Sequence, residues 1–371
     1  MKPIRILQVV TIMNRGGLET MLMNYYRAID RDQIQFDFMV HREERGHYDD
    51  EIEELGGKIY RMPPIRPGNY RLYFKKLDYF FQNYKEYRIV HSHINENSSF
   101  VLRAAKKAHV PIRIAHSHLS DLSVDFKLPF RIYARALLKS HTNQYFACSK
   151  RAGNWLFGKN TDQKGTIVLN NAVNVKEFQF DPEVRLKLRE NLNVGESIVI
   201  GHVGRFNKQK NHDFLIDIFK AVHDMFPNVT LLLIGEGNLK KKIKEKVHKL
   251  GLSANVKFLG VREDIPQLMQ AMDLFLFPSL FEGLPVVLIE AQAAGLKCIV
   301  SNSITNEVEI TDRIQFMSLR DSSKVWAETI LSSSLQHTDT FEQMSSNGFD
   351  TTTTANWLVS YYEKVYSMGG V

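Results

Sequence analysis

Glu282 and Glu290 lie in the stretch DLFLFPSLFEGLPVVLIEAQAAG, residues 273–295, with seven residues between them. That spacing arises by chance on many helices, so the surroundings carry the signal. Asp273 to Pro278 is a short apolar run of buried-strand type, Ser279 to Gly283 is turn chemistry, and Pro285 suits the first position of a helix that ends at Gly295. Glu282 is therefore expected in a strand-to-helix loop and Glu290 inside the helix. Ligands of parallel α/β sheets sit at the carboxyl ends of strands, which turns both carboxylates toward a crevice. Hydrogen-bond acceptors there suit a hydroxyl-rich ligand.

The complementary charge comes from Arg205 and Lys210, which follow the apolar run Ile198–Val203 and Gly204. A guanidinium fork and a compact ammonium can together neutralise a diphosphate. Earlier in the chain, Gly16 and Gly17 stand between a first strand and a helix, where free N–H groups attract anions. His91/His93 and His116/His118 form two His-Ser-His triplets at expected strand ends. Their neutral rings suit hydrogen bonding to substrate, and with no nearby cysteine and no HExxH run a zinc site is not the reading taken. Gly235-Glu236-Gly237 has Lys240 where a dinucleotide fingerprint needs a third glycine, and a Walker A loop is missing from the sequence.

Apolar runs alternate with helical stretches throughout, the pattern of parallel sheets covered by helices. Expected strands are residues 4–11, 36–40, 89–92, 112–116 and 144–148, then 198–203, 230–234, 256–259, 274–277 and 297–301. Two such series, separated by the polar segment 170–182, give two doubly wound domains facing each other across a cleft. The boundaries are 1–175 for an acceptor-side domain and 176–354 for a donor domain, with a helix over 355–371 packing back on the first. Residues 332–354 read as polar and irregular. Trp357, Leu358, Tyr361, Tyr362 and Val365 at helical spacing read as core packing.

The chain has 371 residues, 44% of them hydrophobic, and a net charge of +7 that favours anionic partners. It contains no apolar run of membrane-spanning length, and two cysteines without a paired spacing fit a reducing compartment, so a cytoplasmic protein is expected. Residues 66–88 and 126–139 interleave Lys and Arg with Tyr, Phe and Leu, as at an anionic lipid surface. Nucleic acid is not an expected partner, because no recognised binding motif accompanies the charge.

In this order, the motifs resemble the family-4 retaining glycosyltransferases of GT-B fold, notably the bacterial exopolysaccharide and capsule members. The resemblance runs through Gly16-Gly17-x-Glu19, His116, Cys148-Ser149, Asn170-Asn171-Ala172-Val173-Asn174 with Phe178, Gly204-Arg205 with Lys210, Gly235-Glu236-Gly237, residues 256–260 and the Glu282/Glu290 pair. The family often has Lys-Gly where this chain has Lys210-Asn211, and its last glycine-rich loop is replaced here by residues 303–307. Contacts of that loop to the leaving-group phosphates are therefore left open.

The resemblance implies that Arg205 and Lys210 hold a donor diphosphate, that Glu290 takes the ribose hydroxyls and that Glu282 contacts the transferred sugar with Gly283 and Leu284. It places Gly16 and Gly17 along the phosphate and acceptor side, Val261 and Arg262 near the base, and His116 beside the anomeric centre. It implies a hexosyltransferase that takes a uridine diphosphate sugar, retains configuration without a covalent intermediate and needs no metal or other cofactor. The acceptor is a growing glycan, lipid-linked, at the inner face of the membrane. Two rivals stay open: a nucleotide-sugar epimerase or hydrolase on the same architecture, and a non-catalytic nucleotide-sugar-binding partner of a transferase. Substituting Arg205 or Lys210 is expected to cut turnover while leaving the fold intact.

Overall fold

The computed structural model describes residues 2–66, 68–118, 128–158 and 165–368. They divide into two compact units, residues 1–172 with 351–371 and residues 173–350. In the first unit, seven parallel strands run in the order β3-β2-β1-β4-β5-β6-β7. In sequence these are β1 Ile4–Val10, β2 Ile34–Val40, β3 Ile59–Arg61, β4 Ile89–Ser92, β5 Ile112–Ser117, β6 Gln144–Ala147 and β7 Ile167–Val168. In the second unit the order is β10-β9-β8-β11-β12-β13, from β8 Ile198–Val203, β9 Val229–Ile234, β10 Val256–Gly260, β11 Leu274–Phe277, β12 Lys297–Ser301 and β13 Ile314–Met317. Each sheet is thus wound outward from its centre, reversing between β1 and β4 and again between β8 and β11. Crevices that bind ligands open at such reversals.

Strand parity explains the layers. In the first sheet Ile6, Val10, Phe36, Phe38, Ile89, Ile114 and Phe146 face one side, where the helices Gly17–Ala28 and Thr351–Met368 bring Met21, Leu22, Tyr25, Leu358 and Tyr362. Leu7, Val9, Met39, Val90 and Ala115 face the other, against Tyr73, Leu77, Val101, Ala104 and Leu138. The second sheet divides likewise, with Val199, Phe275, Phe277 and Val300 on one face and Ile200, Leu274, Leu276 and Ile299 on the other.

Each unit carries a buried aspartate near the amino ends of its strands. Asp37 accepts from Arg5 Nε at 2.6 Å and Tyr87 Oη at 2.7 Å, and Asp273 accepts from Arg185 Nη2 at 2.5 Å and the Val199 N–H at 2.7 Å. These bonds satisfy charges that would otherwise be costly to bury. The side chains discussed below sit at the opposite, carboxyl ends.

Several elements depart from the sequence reading. The three short strands β3, β7 and β13 were not expected, and all lie at or next to a sheet edge. Pro285 is the N-cap, not the first helical residue, of the helix Val286–Ala293, and Gly295 follows with φ of +69°. The polar tail contains a helix, Phe341–Ser346, and the following helix starts at Thr351, four residues before the expected 355. Residues 369–371 of the expected helix lie outside the described residues. Trp357 is 44% exposed, so it is not part of the core that Leu358, Tyr362 and Val365 join.

Candidate functional site

In the second unit the loop after β8 is fastened to the loop after β11. The Leu280 N–H donates to the Gln209 carbonyl at 2.8 Å, Gln209 Nε2 to the Phe281 carbonyl at 3.1 Å, and Asn211 Nδ2 to the Pro278 carbonyl at 3.1 Å. Asn211 adopts a left-handed conformation, φ 54°, which asparagine tolerates without a glycine. Replacement of the family's glycine therefore leaves the turn intact. Asn207 Oδ1 accepts the Lys210 N–H at 3.1 Å and fixes the loop from inside.

The result is a pairing of the expected cation with the expected acid. Lys210 Nζ lies 2.7 Å from Glu282 Oε1, with the two side chains only 15% and 9% exposed, and 4.5 Å from the centre of the Phe277 ring. The carboxylate oxygen has no aligned hydrogen bond, so the attraction is ionic. Arg205 differs: it is exposed and its side chain makes no hydrogen bond or ion pair among the described residues. Behind it, Gly235 and Gly237 press against the loop backbone. A Cβ on Gly235 would lie 2.2 Å from the Gly204 carbonyl oxygen, and one on Gly237 would lie 2.5 Å from that of Phe206. Both have positive φ, so the Gly235-Glu236-Gly237 run is a backbone-packing device supporting the Arg205 loop.

Glu290 projects from the second turn of the helix Val286–Ala293, and its side chain is partly buried without a hydrogen-bond or ion-pair partner among the described residues. Desolvation pushes its carboxyl up to about 7. Gly283 is exposed, with nothing within 4 Å of where a Cβ would stand, whereas Leu284 packs onto the core. Val261 and Arg262 follow β10, two strands from β8. Val261 is 67% exposed, and Arg262 Nε donates to its neighbour Asp264 at 2.7 Å. The replaced loop, residues 303–307, leads into a single turn, Asn306–Val308, capped by Thr305.

In the first unit, Gly17 opens the helix Gly17–Ala28 and Gly16 caps it. The Glu19 carboxylate folds back over this end: a Cβ on Gly16 would lie 2.3 Å from its Oε2. The helix terminus thus already faces one anionic group, and burial raises the pKa of that carboxyl.

The four histidines come together at the β1/β4 reversal. Gln8 of β1 pairs with His91 of β4 in the sheet register, and β5 supplies His116 alongside. His91 Nε2 lies 3.1 Å from His116 Nδ1, and His91 Nδ1 lies 2.7 Å from the Tyr362 hydroxyl. His93 Nδ1 is 2.9 Å from His118 Nε2, and His93 Nε2 is 2.8 Å from Gln8 Oε1. Burial drives the pKa of His91, His93 and His116 well below the ordinary value and that of His118 to about 3, so all are neutral at pH 7. The nitrogens of His91, His93 and His116 approach one another within 4.8 Å, as ligands of a cation would. Five of those six nitrogens already have hydrogen-bond partners, which accounts for the cluster as a network; among the described residues only His116 Nε2 has none. The histidine triplets were legible in the sequence. Gln8 and Tyr362, which tie them to β1 and to the helix Thr351–Met368, were not; Tyr362 carried only the signal of an apolar stripe.

A groove near the carboxyl ends of β1 and β2 is lined by Thr11, His41, Arg42, Pro64, Tyr73 and Asn97. Helices Tyr70–Asn83 and Leu128–His141 expose Leu72, Tyr79, Ile132 and Tyr133 at 53–66% together with Arg71, Lys75, Lys76 and Lys139. The two helices are linked by stacking of Tyr70 on Phe130, 5.6 Å between centres. Pro67, Phe126 and Lys127 of the two basic segments lie outside the described residues. Among the described residues no helix is long and apolar enough to cross a membrane.

Comparison with known proteins finds two family models along the chain. Glycosyltransferase Family 4 matches residues 15–177, and Glycosyl transferases group 1 matches residues 184–348. The chain is 36% identical over 332 residues to EpsF of Bacillus subtilis, named as a glycosyltransferase, covering 88% of this chain and 86% of that protein. It is 28% identical to the capsular polysaccharide biosynthesis glycosyltransferase CapH of Staphylococcus aureus, over 97% of this chain and 98% of CapH. The crystal structure of Anabaena HepE in complex with UDP superposes with a TM-score of 0.73 at 21% identity, covering both chains fully.

Proposed function

The chain belongs to the family-4 glycosyltransferases, enzymes here built on the GT-B fold, and from that premise we propose that it moves a sugar from a uridine diphosphate donor to a lipid-linked glycan with retention of configuration. The pathway in this reading is the assembly of an exopolysaccharide or capsule, supported by the capsular polysaccharide role in the name of CapH. Uridine is favoured by the nucleotide in the HepE complex.

The observation that carries this reading is the contrast at the β8/β11 reversal between an unpaired exposed Arg205 and a Lys210 held on Glu282. Arg205 offers two parallel donors to a diphosphate, and Lys210 adds a positive charge positioned before substrate arrives. Together they neutralise the charge that grows on the departing nucleotide, so the reaction proceeds without a metal ion. Glu282, occupied by Lys210, is poorly placed to act as a free nucleophile. That favours a front-face displacement: the acceptor oxygen bonds to the anomeric carbon as the bond to the β-phosphate oxygen breaks, and the hydroxyl proton passes to the departing phosphate. Glu282, Gly283 and Leu284 meet the transferred sugar, and Glu290 accepts from the ribose hydroxyls. Val261 and Arg262 stand on the side of the base. Within the first unit, Gly16 and Gly17 are assigned to phosphate and acceptor binding and His116 to recognition of the transferred sugar.

The helices with exposed Tyr79, Tyr133 and their lysines support peripheral contact with anionic membrane, where a lipid-linked acceptor resides. The decisive experiment incubates the protein with a panel of labelled nucleotide sugars, with and without a lipid-linked glycan, in the presence of EDTA. Transfer that depends on the acceptor and survives chelation is the expected result. Donor turnover alone would mark an epimerase or hydrolase, and donor binding without turnover a non-catalytic partner.

A further inference from the structure

His116 is fully buried, and its Nε2 has no hydrogen-bond partner among the described residues. Leaving such an atom unpaired is costly, so its protonation state is a matter of consequence. A neutral imidazole has one N–H and one bare nitrogen, and which is which follows from its partners. Here the partners form two chains that both begin at Gln8.

Gln8 Oε1 can only accept, so His93 Nε2, 2.8 Å away, donates to it. His93 Nδ1 is then bare and accepts from His118 Nε2. The other end of the same amide, Gln8 Nε2, donates to the Tyr362 hydroxyl at 3.4 Å. Tyr362 therefore gives its own proton to His91 Nδ1, His91 carries its proton on Nε2, and His91 Nε2 donates to His116 Nδ1. The only place left for the His116 proton is Nε2. From this geometry we infer that Gln8 and Tyr362 are positioning residues which hold His116 as an Nε2–H donor, aimed at an oxygen of the bound ligand. The inference rests on the reading of His116 as a residue that faces the transferred sugar.

The low pKa values of the four rings support the bookkeeping, since a charged ring would carry protons on both nitrogens. The arrangement also excludes His116 as a base: its unpartnered nitrogen already bears the proton. A hydroxyl, ring or phosphate oxygen would satisfy it; a ligand amine would not. The Gln8 amide is the pivot. An acceptor-only group in its place takes the Tyr362 proton, which forces His91 to donate from Nδ1, reverses the bond to His116 and leaves Nε2 bare.

The test reads tautomers directly, from long-range nitrogen–carbon correlations of histidine in the free, full-length protein. Wild type should show His116 protonated at Nε2. Gln8→Glu, nearly isosteric, should shift it toward Nδ1–H, and Tyr362→Phe should release the preference. Tyr361→Phe is the control, because that hydroxyl bonds Gln144 Oε1 at 2.9 Å and stands outside the chains. Both Gln8→Glu and Tyr362→Phe should lower kcat about 10-fold, the loss of roughly one hydrogen bond in the transition state. A bare Nε2 in wild type, or a tautomer unmoved in Gln8→Glu, overturns the inference. The wild-type spectrum decides it even if a variant fails to fold. Because the spectra need no substrate, they separate this inference from the assignment of transferase activity.

Discussion

At the β8/β11 reversal stand Arg205, Lys210, Glu282 and Glu290, all able to carry charge; at the β1/β4 reversal stand the uncharged amide of Gln8 and the imidazoles of His91, His93 and His116, which burial keeps neutral. The two sheets share the order in which the first six strands of each unit are wound, so topology has placed the two sets of side chains in equivalent positions. What differs is how each set is satisfied. The second unit uses ionic attraction and leaves one cation unpaired, whereas the first uses a chain of oriented dipoles and leaves one imidazole nitrogen unpaired. The fold thus supplies the location, and the kind of ligand group each half can receive is set by what its residues leave over.

The comparison breaks most visibly within the charged set. Arg205→Ala should lower kcat/KM by about 10²–10³-fold, the scale found on removing one donor to developing negative charge, with the unfolding midpoint unchanged because the exposed side chain makes no hydrogen bond or ion pair among the described residues. Steady-state kinetics beside a denaturant titration check both halves, and retained activity would break the assignment. Lys210→Ala should behave differently, contrary to the sequence-based expectation that both substitutions spare the fold. It strands Glu282 at 9% exposure and should cost about 3 kcal/mol of stability as well as activity. The double variant Lys210→Ala/Glu282→Gln should recover much of that stability and none of the turnover, as a double-mutant cycle would show.

Glu290 tests the charged set by pH. Its folded pKa of about 7 lies above the ordinary carboxyl value, so between those two limits the folded state binds more protons than the unfolded. Stability from this group is therefore lost as pH rises through that window and stays lost above it. Glu290→Gln should flatten the dependence, gaining about 2 kcal/mol at pH 8, a figure set below the full shift because the side chain is partly exposed. The same variant should weaken donor binding by calorimetry at pH 8 and much less at pH 5, where the wild-type group is itself protonated. The smallest expected effect concerns the two basic aromatic helices proposed to contact a membrane. Replacing Lys75 and Lys76 with Gln should reduce sedimentation with anionic liposomes several-fold in 50 mM salt and hardly at all in 0.5 M, as screened charges require.

Sequence legibility tracked how local the determinant was. Runs such as Ile198–Val203 and Leu274–Phe277 declare buried strands by themselves, because both faces are covered and nearly every position is apolar, His202 being the exception. Ile59–Arg61 and Ile167–Val168 are too short to show a period, and Ile314–Met317 alternates at a sheet edge between polar flanks. Arg205, Lys210, Glu282 and Glu290 could be picked out from strand-end context, but the direct contact between Lys210 and Glu282 depends on β8 and β11 being neighbours. No pattern within either segment announces it. Gln8 and Tyr362 were less legible still: one is a polar residue inside a strand, the other one ring of an apolar stripe, and they become informative only when set beside the same imidazole pair.

The chain enters the second unit at Val173 and leaves it at Asp350, and these two residues form a parallel bridge. Tyr362 lies beyond that exit, while its partner His91 lies before the entrance. On the ribosome, all of residues 173–350 must emerge before the tyrosine that completes the first sheet's polar network. The first half to be translated is consequently the later one to be finished, and its newborn form waits with unsealed histidines while a second Rossmann-like unit condenses behind it.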